Sequence, residues 1–108
     1  MIDWSRVSEL RAEVGDEDFA EVVELFLDEV DGVIGTLTPG AVDLEAQLHF
    51  LKGSALNLGF DAFADLCHAG EAAANAGCGS QVDVSLIQDT YARARAEFAN
   101  GLETRRAG

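Results

Sequence analysis

Positive charge is scarce in this chain. Seven Lys plus Arg stand against 20 Asp plus Glu in 108 residues, a formal charge of −13, and a surface of that sign repels phosphate backbones and anionic lipid headgroups. Nucleic acid and membrane surfaces are therefore not expected as partners; other proteins are. Cysteine is nearly absent too: Cys67 and Cys78 form neither a CxxC nor a Cys/His grouping of metal-ligand spacing, so no disulfide framework or metal site is expected and reduced thiols are the default. No apolar run approaches the ~18 residues of a membrane span. Met1-Ile2-Asp3-Trp4 lacks the basic and apolar regions of a secretory leader, so a cytoplasmic location is expected. There is no P-loop and no kinase-type Gly-rich nucleotide site, so any phosphate chemistry must draw on a phosphorylated partner. What is present is 48% hydrophobic residues distributed along the whole sequence, enough for one ordered domain with its own core.

The single proline, Pro39, sits in one of four breaks: Gly15-Asp16, Thr38-Pro39-Gly40, Leu58-Gly59 and the run from Asn75 to Ser80. Every segment between them has a period near 3.6, which predicts an all-α fold. A short first helix carries Trp4, Val7, Leu10 and Val14. Asp16 is a candidate cap for a second helix running to about Leu37, with Phe19, Val22, Val23, Phe26, Val30, Val33, Ile34 and Leu37 on one stripe. Asp43 is a candidate cap for a third, whose seam is Leu44, Leu48, Leu51, Ala55 and Leu58. A fourth starts at about Asp61, and its small residues Gly70, Ala73 and Ala74 allow a neighbour to come close. The last helix carries Val84, Ile87, Tyr91, Ala94, Phe98 and Leu102. Together these predict an antiparallel four-helix bundle with a short additional N-terminal helix, a single domain over 1–104, and a frayed tail over 105–108.

From Ala46 to Phe60 the sequence reads AQLHFLKGSALNLGF, without one acid. The strip contains the only lysine, Lys52, and, three residues before it, His49. At 100° per residue the two share one side of the helix, and Gly53 lies directly over His49 in the next turn. A glycine inside a helix costs about 1 kcal/mol relative to alanine. Two readings of Gly53 are open on spacing alone: a partner's backbone must come close to His49, or a neighbouring helix of the same fold must. Leu56 and Phe60 extend the stripe away from the core seam and are expected to face solvent or a docking partner.

His49-Phe50-Leu51-Lys52-Gly53-Ser54-Ala55-Leu56-Asn57-Leu58-Gly59-Phe60 resembles the signature of histidine-containing phosphotransfer (HPt) domains, His-x-Leu-Lys-Gly-Ser followed by a small residue, two further positions, and a hydrophobic-Gly pair. The resemblance implies a helical bundle in which His49 accepts a phosphoryl group from the phospho-aspartate of a response-regulator receiver domain and passes it to another receiver, within a phosphorelay that starts at a hybrid histidine kinase. The chain itself would bind no cofactor, Mg²⁺ being expected on the receiver. A neutral imidazole suits the task, because it presents a nucleophilic lone pair near physiological pH without a base to deprotonate it. Lys52 would then give electrostatic support to the phosphohistidine, Gly53 steric clearance, and Leu56 and Phe60 part of the docking surface. In this family a polar side chain on the adjacent helix often orients the imidazole; here the candidates are Glu71 and His68, neither of them the glutamine of some relatives. His68 has no following Lys-Gly pair and reads as a solvated polar position, Glu71 as a surface acid.

Other readings fare worse. Placing Gly32 as the invariant glycine of a calcium loop puts Leu27 at the first ligand position, which rejects an EF-hand. Val84-Ser85-Leu86 lacks the acid of an acyl-carrier attachment site. The acids from Glu9 to Asp31 read as a solvated face, with partner discrimination as the lesser possibility. A different class remains open as the alternative function: a non-catalytic helical adaptor that binds a receiver or histidine kinase without carrying phosphate. The short, well-punctuated helices favour a monomer.

Overall fold

The computed structural model describes residues 2–107, with side chains through 104. It is built of helices α1 (Trp4–Val14), α2 (Asp16–Ile34), α3 (Leu44–Leu58), α4 (Asp61–Asn75) and α5 (Val84–Ala107), with one 3₁₀ turn at Gly79–Gln81. The apolar stripes read from the sequence converge on one core. Leu44, Leu48, Leu51, Ala55 and Leu58 of α3 are all buried, as are Phe63 and Cys67 of α4 and Ile87, Tyr91, Ala94 and Phe98 of α5. The side-chain ties between α2 and α5 climb one helix as they descend the other: Tyr91 and Arg95 reach Asp31, while Gln88 reaches the carbonyl of Ile34.

Several boundaries differ from the expected ones. Asp16 is the first residue inside α2, and Gly15 holds the cap position, so Asp16, Glu17 and Asp18 act through the helix dipole rather than as a side-chain cap. Asp43 holds the cap of α3 but makes no capping hydrogen bond. Side-chain capping is found on other helices: at α1 the Asp3 carboxylate accepts from the backbone N–H of Ser5 and Arg6 at 3.1 and 3.2 Å, and at α5 the Asp83 carboxylate accepts from that of Leu86 at 3.0 Å. α2 stops at Ile34, before Gly35, although Leu37 still turns into the core. The tail expected to fray from 105 is helical through Ala107; Gly108 lies outside the described residues.

Phe60 is the largest correction. Expected on a docking surface, it is fully buried, and it meets the Phe98 ring edge-on at 5.3 Å. The reason is Gly59, which ends α3 in the left-handed region at φ +78°. Beyond that turn the 100° spacing from Leu56 no longer applies, and the chain delivers Phe60 inward. The N-terminal segment covers the same corner: Ile2 forms an isolated antiparallel bridge with Phe60, and the Asp3 N–H donates to the Gly59 carbonyl at 2.7 Å.

Desolvation raises the Cys67 thiol to about 12, which suits its packing role. The α2–α5 tie also carries a pH dependence. Arg95, and then Tyr91, hold the Asp31 carboxyl below the usual carboxylate range, while burial, and then Asp31, push the Tyr91 phenol up. A depressed carboxyl contributes stability that is present above the unfolded value, about 3.9, and lost as pH falls through the folded one; a raised phenol contributes stability present below about 10 and lost as pH rises beyond it. The thermal midpoint is therefore expected to hold between these limits and fall on the alkaline side. In Tyr91→Phe that alkaline fall should be shallower, as followed by circular dichroism against pH.

Candidate functional site

The site is set by one close approach between α3 and α4. A Cβ on Gly70 would lie 2.9 Å from the Leu48 Cδ1, so only glycine lets the two helices meet there without a shift of that leucine. Leu48 and Gly70 face the core; the residue after each, His49 and Glu71, lies toward solvent on the same seam. His49 Nδ1 and Glu71 Oε2 are 2.9 Å apart. Glu71 Oε1 takes the Lys52 ammonium at 2.7 Å. One turn further along the seam, the Asn75 side-chain amide donates to Glu45 Oε2 at 2.9 Å. These pairs step up α3 as they step down α4, so the two helices run antiparallel.

Burial divides the three groups sharply. The His49 side chain is 69% exposed, whereas those of Lys52 and Glu71 are 22% and 20% exposed. A carboxylate only accepts hydrogen bonds, so its contact assigns the imidazole proton to Nδ1 and leaves the lone pair on Nε2. Lys52, then His49, hold the Glu71 carboxyl below its ordinary range in spite of the opposing cost of desolvation. Glu71 is thus a fixed negative charge beneath an exposed ring, and Lys52 neutralises its other oxygen. An open hollow of about 460 Å³ beside the ring is lined by Val42, Glu45, Ala46, His49 and Glu71.

The acid-free strip therefore holds along α3 but not in space, because α4 brings Glu71 to its centre. The signal for this lay in the sequence: Glu71 directly follows Gly70, the small residue over which a neighbouring helix comes close. What was not legible is that Lys52 would be committed to Glu71 as well. His68 is exposed one turn before Glu71 and makes no hydrogen bond among the described residues. Leu56 is 55% exposed and Phe50 is exposed on α3, while Val42, just before α3 begins, is exposed in the hollow beside His49. A Cβ built on Gly53 meets nothing within 4 Å, which removes the reading in which a neighbouring helix of this fold requires the glycine. Among the described residues, no group of three His, Cys, Asp or Glu is placed to hold a metal ion, and no helix is long and apolar enough to cross a membrane.

An exposed histidine with a carboxylate on one nitrogen, a lysine three residues on and open space above it can receive a group at Nε2. Residues 21–97 match the Hpt domain family. The chain belongs to that family. The matched span takes in α3 and α4 whole and most of α2 and α5, and leaves α1 outside. No curated protein and no solved structure matches the chain. Membership places this Hpt domain in the histidine-phosphotransfer chemistry of two-component phosphorelays, whose other parts are receiver domains and kinases.

Proposed function

We infer that this Hpt domain is a phosphorelay intermediate in which Nε2 of His49 takes the phosphoryl group of a receiver phospho-aspartate and returns it to a second receiver. The observation that carries this is the 2.9 Å contact of His49 Nδ1 with Glu71 on an otherwise exposed ring. In the forward step the Nε2 lone pair attacks phosphorus, the P–O bond to the aspartate breaks, and the carboxylate leaves on the receiver. No proton has to be removed, since Nδ1 keeps its own. The ring becomes cationic as the P–N bond forms, and the Glu71 carboxylate already stands where that charge develops. Lys52 keeps Glu71 ionised and in place, and its ammonium is within one turn of the phosphoryl group that His49 would carry. Leu56, with Phe50, belongs to the docking surface; Phe60 does not.

The same reading takes the four long helices as one antiparallel bundle and one domain, a cytoplasmic monomer that binds no cofactor, with Mg²⁺ supplied on the receiver and a hybrid histidine kinase upstream. Incubation with a phosphorylated receiver and Mg²⁺ tests it: label that is acid-labile and base-stable supports a phosphohistidine. Absence of label with every receiver of the source organism would leave the non-catalytic adaptor as the better account. Because space above His49 is open at position 53, Gly53→Gln is expected to slow transfer by about tenfold through lost alignment with little change in the thermal midpoint. A normal rate in that variant would remove clearance as the role of Gly53.

A further inference from the structure

α2 carries an exposed apolar hollow that phosphotransfer at His49 does not call for. Val22, Leu25, Phe26 and Glu29 line an open space of about 220 Å³, and Leu25 stands in it at 58% exposure. These positions follow the i, i+3, i+4, i+7 pattern of a helical face. Beside that face run Glu17, Glu21, Glu24 and Asp28, which fall within about 60° of arc at 100° per residue. α2 contains eight acids and no base. Two of the eight are compensated from outside the helix, Asp16 by Arg11 at 3.8 Å and Asp31 by Arg95 at 3.0 Å. Glu17, Asp18, Glu21, Glu24, Asp28 and Glu29 have no ion-pair partner among the described residues.

Like charges three and four residues apart weaken a helix, and they do so here at Glu17/Glu21, Glu21/Glu24 and Glu24/Asp28. A face that served only solubility would not be built around an exposed leucine, and one that served only core packing would not be lined by uncompensated acids. Cations set beside an apolar side chain would satisfy both features at once: the apolar group fills the hollow, and the cations lie along the acidic arc. We propose that this face of α2 docks a basic amphipathic helix of a partner protein, seating an apolar side chain between Val22, Leu25 and Phe26 and placing Lys or Arg against Glu17, Glu21, Glu24 and Asp28. The proposal is independent of the role assigned to His49, because none of these residues belongs to the His49–Glu71–Lys52 cluster.

The probe is a synthetic 18-residue helical peptide with leucine on one face and lysine on the other, titrated into the isotope-labelled full chain and followed by amide chemical shifts. Shift changes are expected to centre on Val22, Leu25, Phe26 and Glu29, with affinity falling steeply as salt rises. Leu25→Ser is expected to weaken binding at least tenfold, and Leu86→Ser, which alters an exposed leucine on α5, less than twofold. His49→Gln should leave binding unchanged. Shifts spread evenly over all acidic surfaces, no binding at all, or a Leu25→Ser variant that binds like the parent would each overturn the proposal. If His49→Gln abolished phosphotransfer while the α2 shifts persisted, the two sites would be shown to be separate; loss of the α2 shifts in that variant would count against this face as a site of its own.

Discussion

Phosphoryl transfer from a phosphorylated receiver is expected to vanish in His49→Gln and to slow by about 10- to 100-fold in Glu71→Gln, less than the roughly 100- to 1,000-fold typical of removing a preorganised group outright, because glutamine keeps the hydrogen bond to the ring. The two effects differ because the two residues do different things. His49 supplies the Nε2 lone pair, and no neighbouring group can replace it; His68 is exposed but has neither a carboxylate partner nor an open glycine above it. Glu71 supplies orientation and charge together. Glutamine at 71 keeps the length and still offers an oxygen to Nδ1, so the ring remains held, but the negative charge opposite the developing imidazolium is lost. Glu71→Ala removes both and should be slower than Glu71→Gln. Lys52, and then His49, keep the Glu71 carboxyl below its ordinary range, so the charge that glutamine removes is present at neutral pH. Equal rates for Glu71→Gln and the parent would show that the charge contributes nothing.

His49, Lys52 and Gly53 lie on one turn of one helix, where the 100° spacing is enough to place them, and the structure finds them in the expected relation on the outer side of α3. The core seams were legible for the same reason: Leu44 to Leu58 and Ile87 to Phe98 are amphipathic repeats within single helices. Readings failed where a residue's place depends on a second element or on a change of backbone region. Phe60 follows a left-handed glycine, so extrapolating the stripe past Gly59 sent it to the wrong side. Glu71 is ambiguous on its own helix and takes meaning only from the Leu48–Gly70 contact that brings α3 to it. The Asp3 cap of α1 is local, made with Ser5 and Arg6, but the hydrogen bond that pins the Asp3 N–H to the Gly59 carbonyl is long-range and has no local pattern. Gly53 had two readings until the space around it was known.

Gly59→Ala is expected to cost about 2–4 kcal/mol of stability, the largest loss from a single methyl group on α3 or its end. The left-handed backbone at φ +78° is worth about 1–2 kcal/mol against any residue with a Cβ. The added methyl would also lie 2.6 Å from the Asp3 carbonyl oxygen, and this neighbour is backbone that cannot rotate away. Relief requires the N-terminal segment to lift, which threatens the 2.7 Å hydrogen bond from Asp3 to Gly59, the Ile2–Phe60 bridge and the seating of α1. For a domain of this size each kcal/mol moves the midpoint by roughly 4–8 °C, so a fall of about 10–25 °C should be seen by calorimetry or circular dichroism. Gly53→Ala, six residues earlier on the same helix, makes the opposite comparison: a Cβ there meets nothing within 4 Å, the backbone is ordinary helix, and the change should stabilise by up to about 1 kcal/mol. Opposite signs for the same substitution at these two positions would identify Gly59 as the glycine the fold requires and leave Gly53 to be explained by what approaches His49. A midpoint for Gly59→Ala within 2–3 °C of the parent, well below the roughly 4–8 °C expected per kcal/mol, would mean that the N-terminal segment is not held at this corner as described.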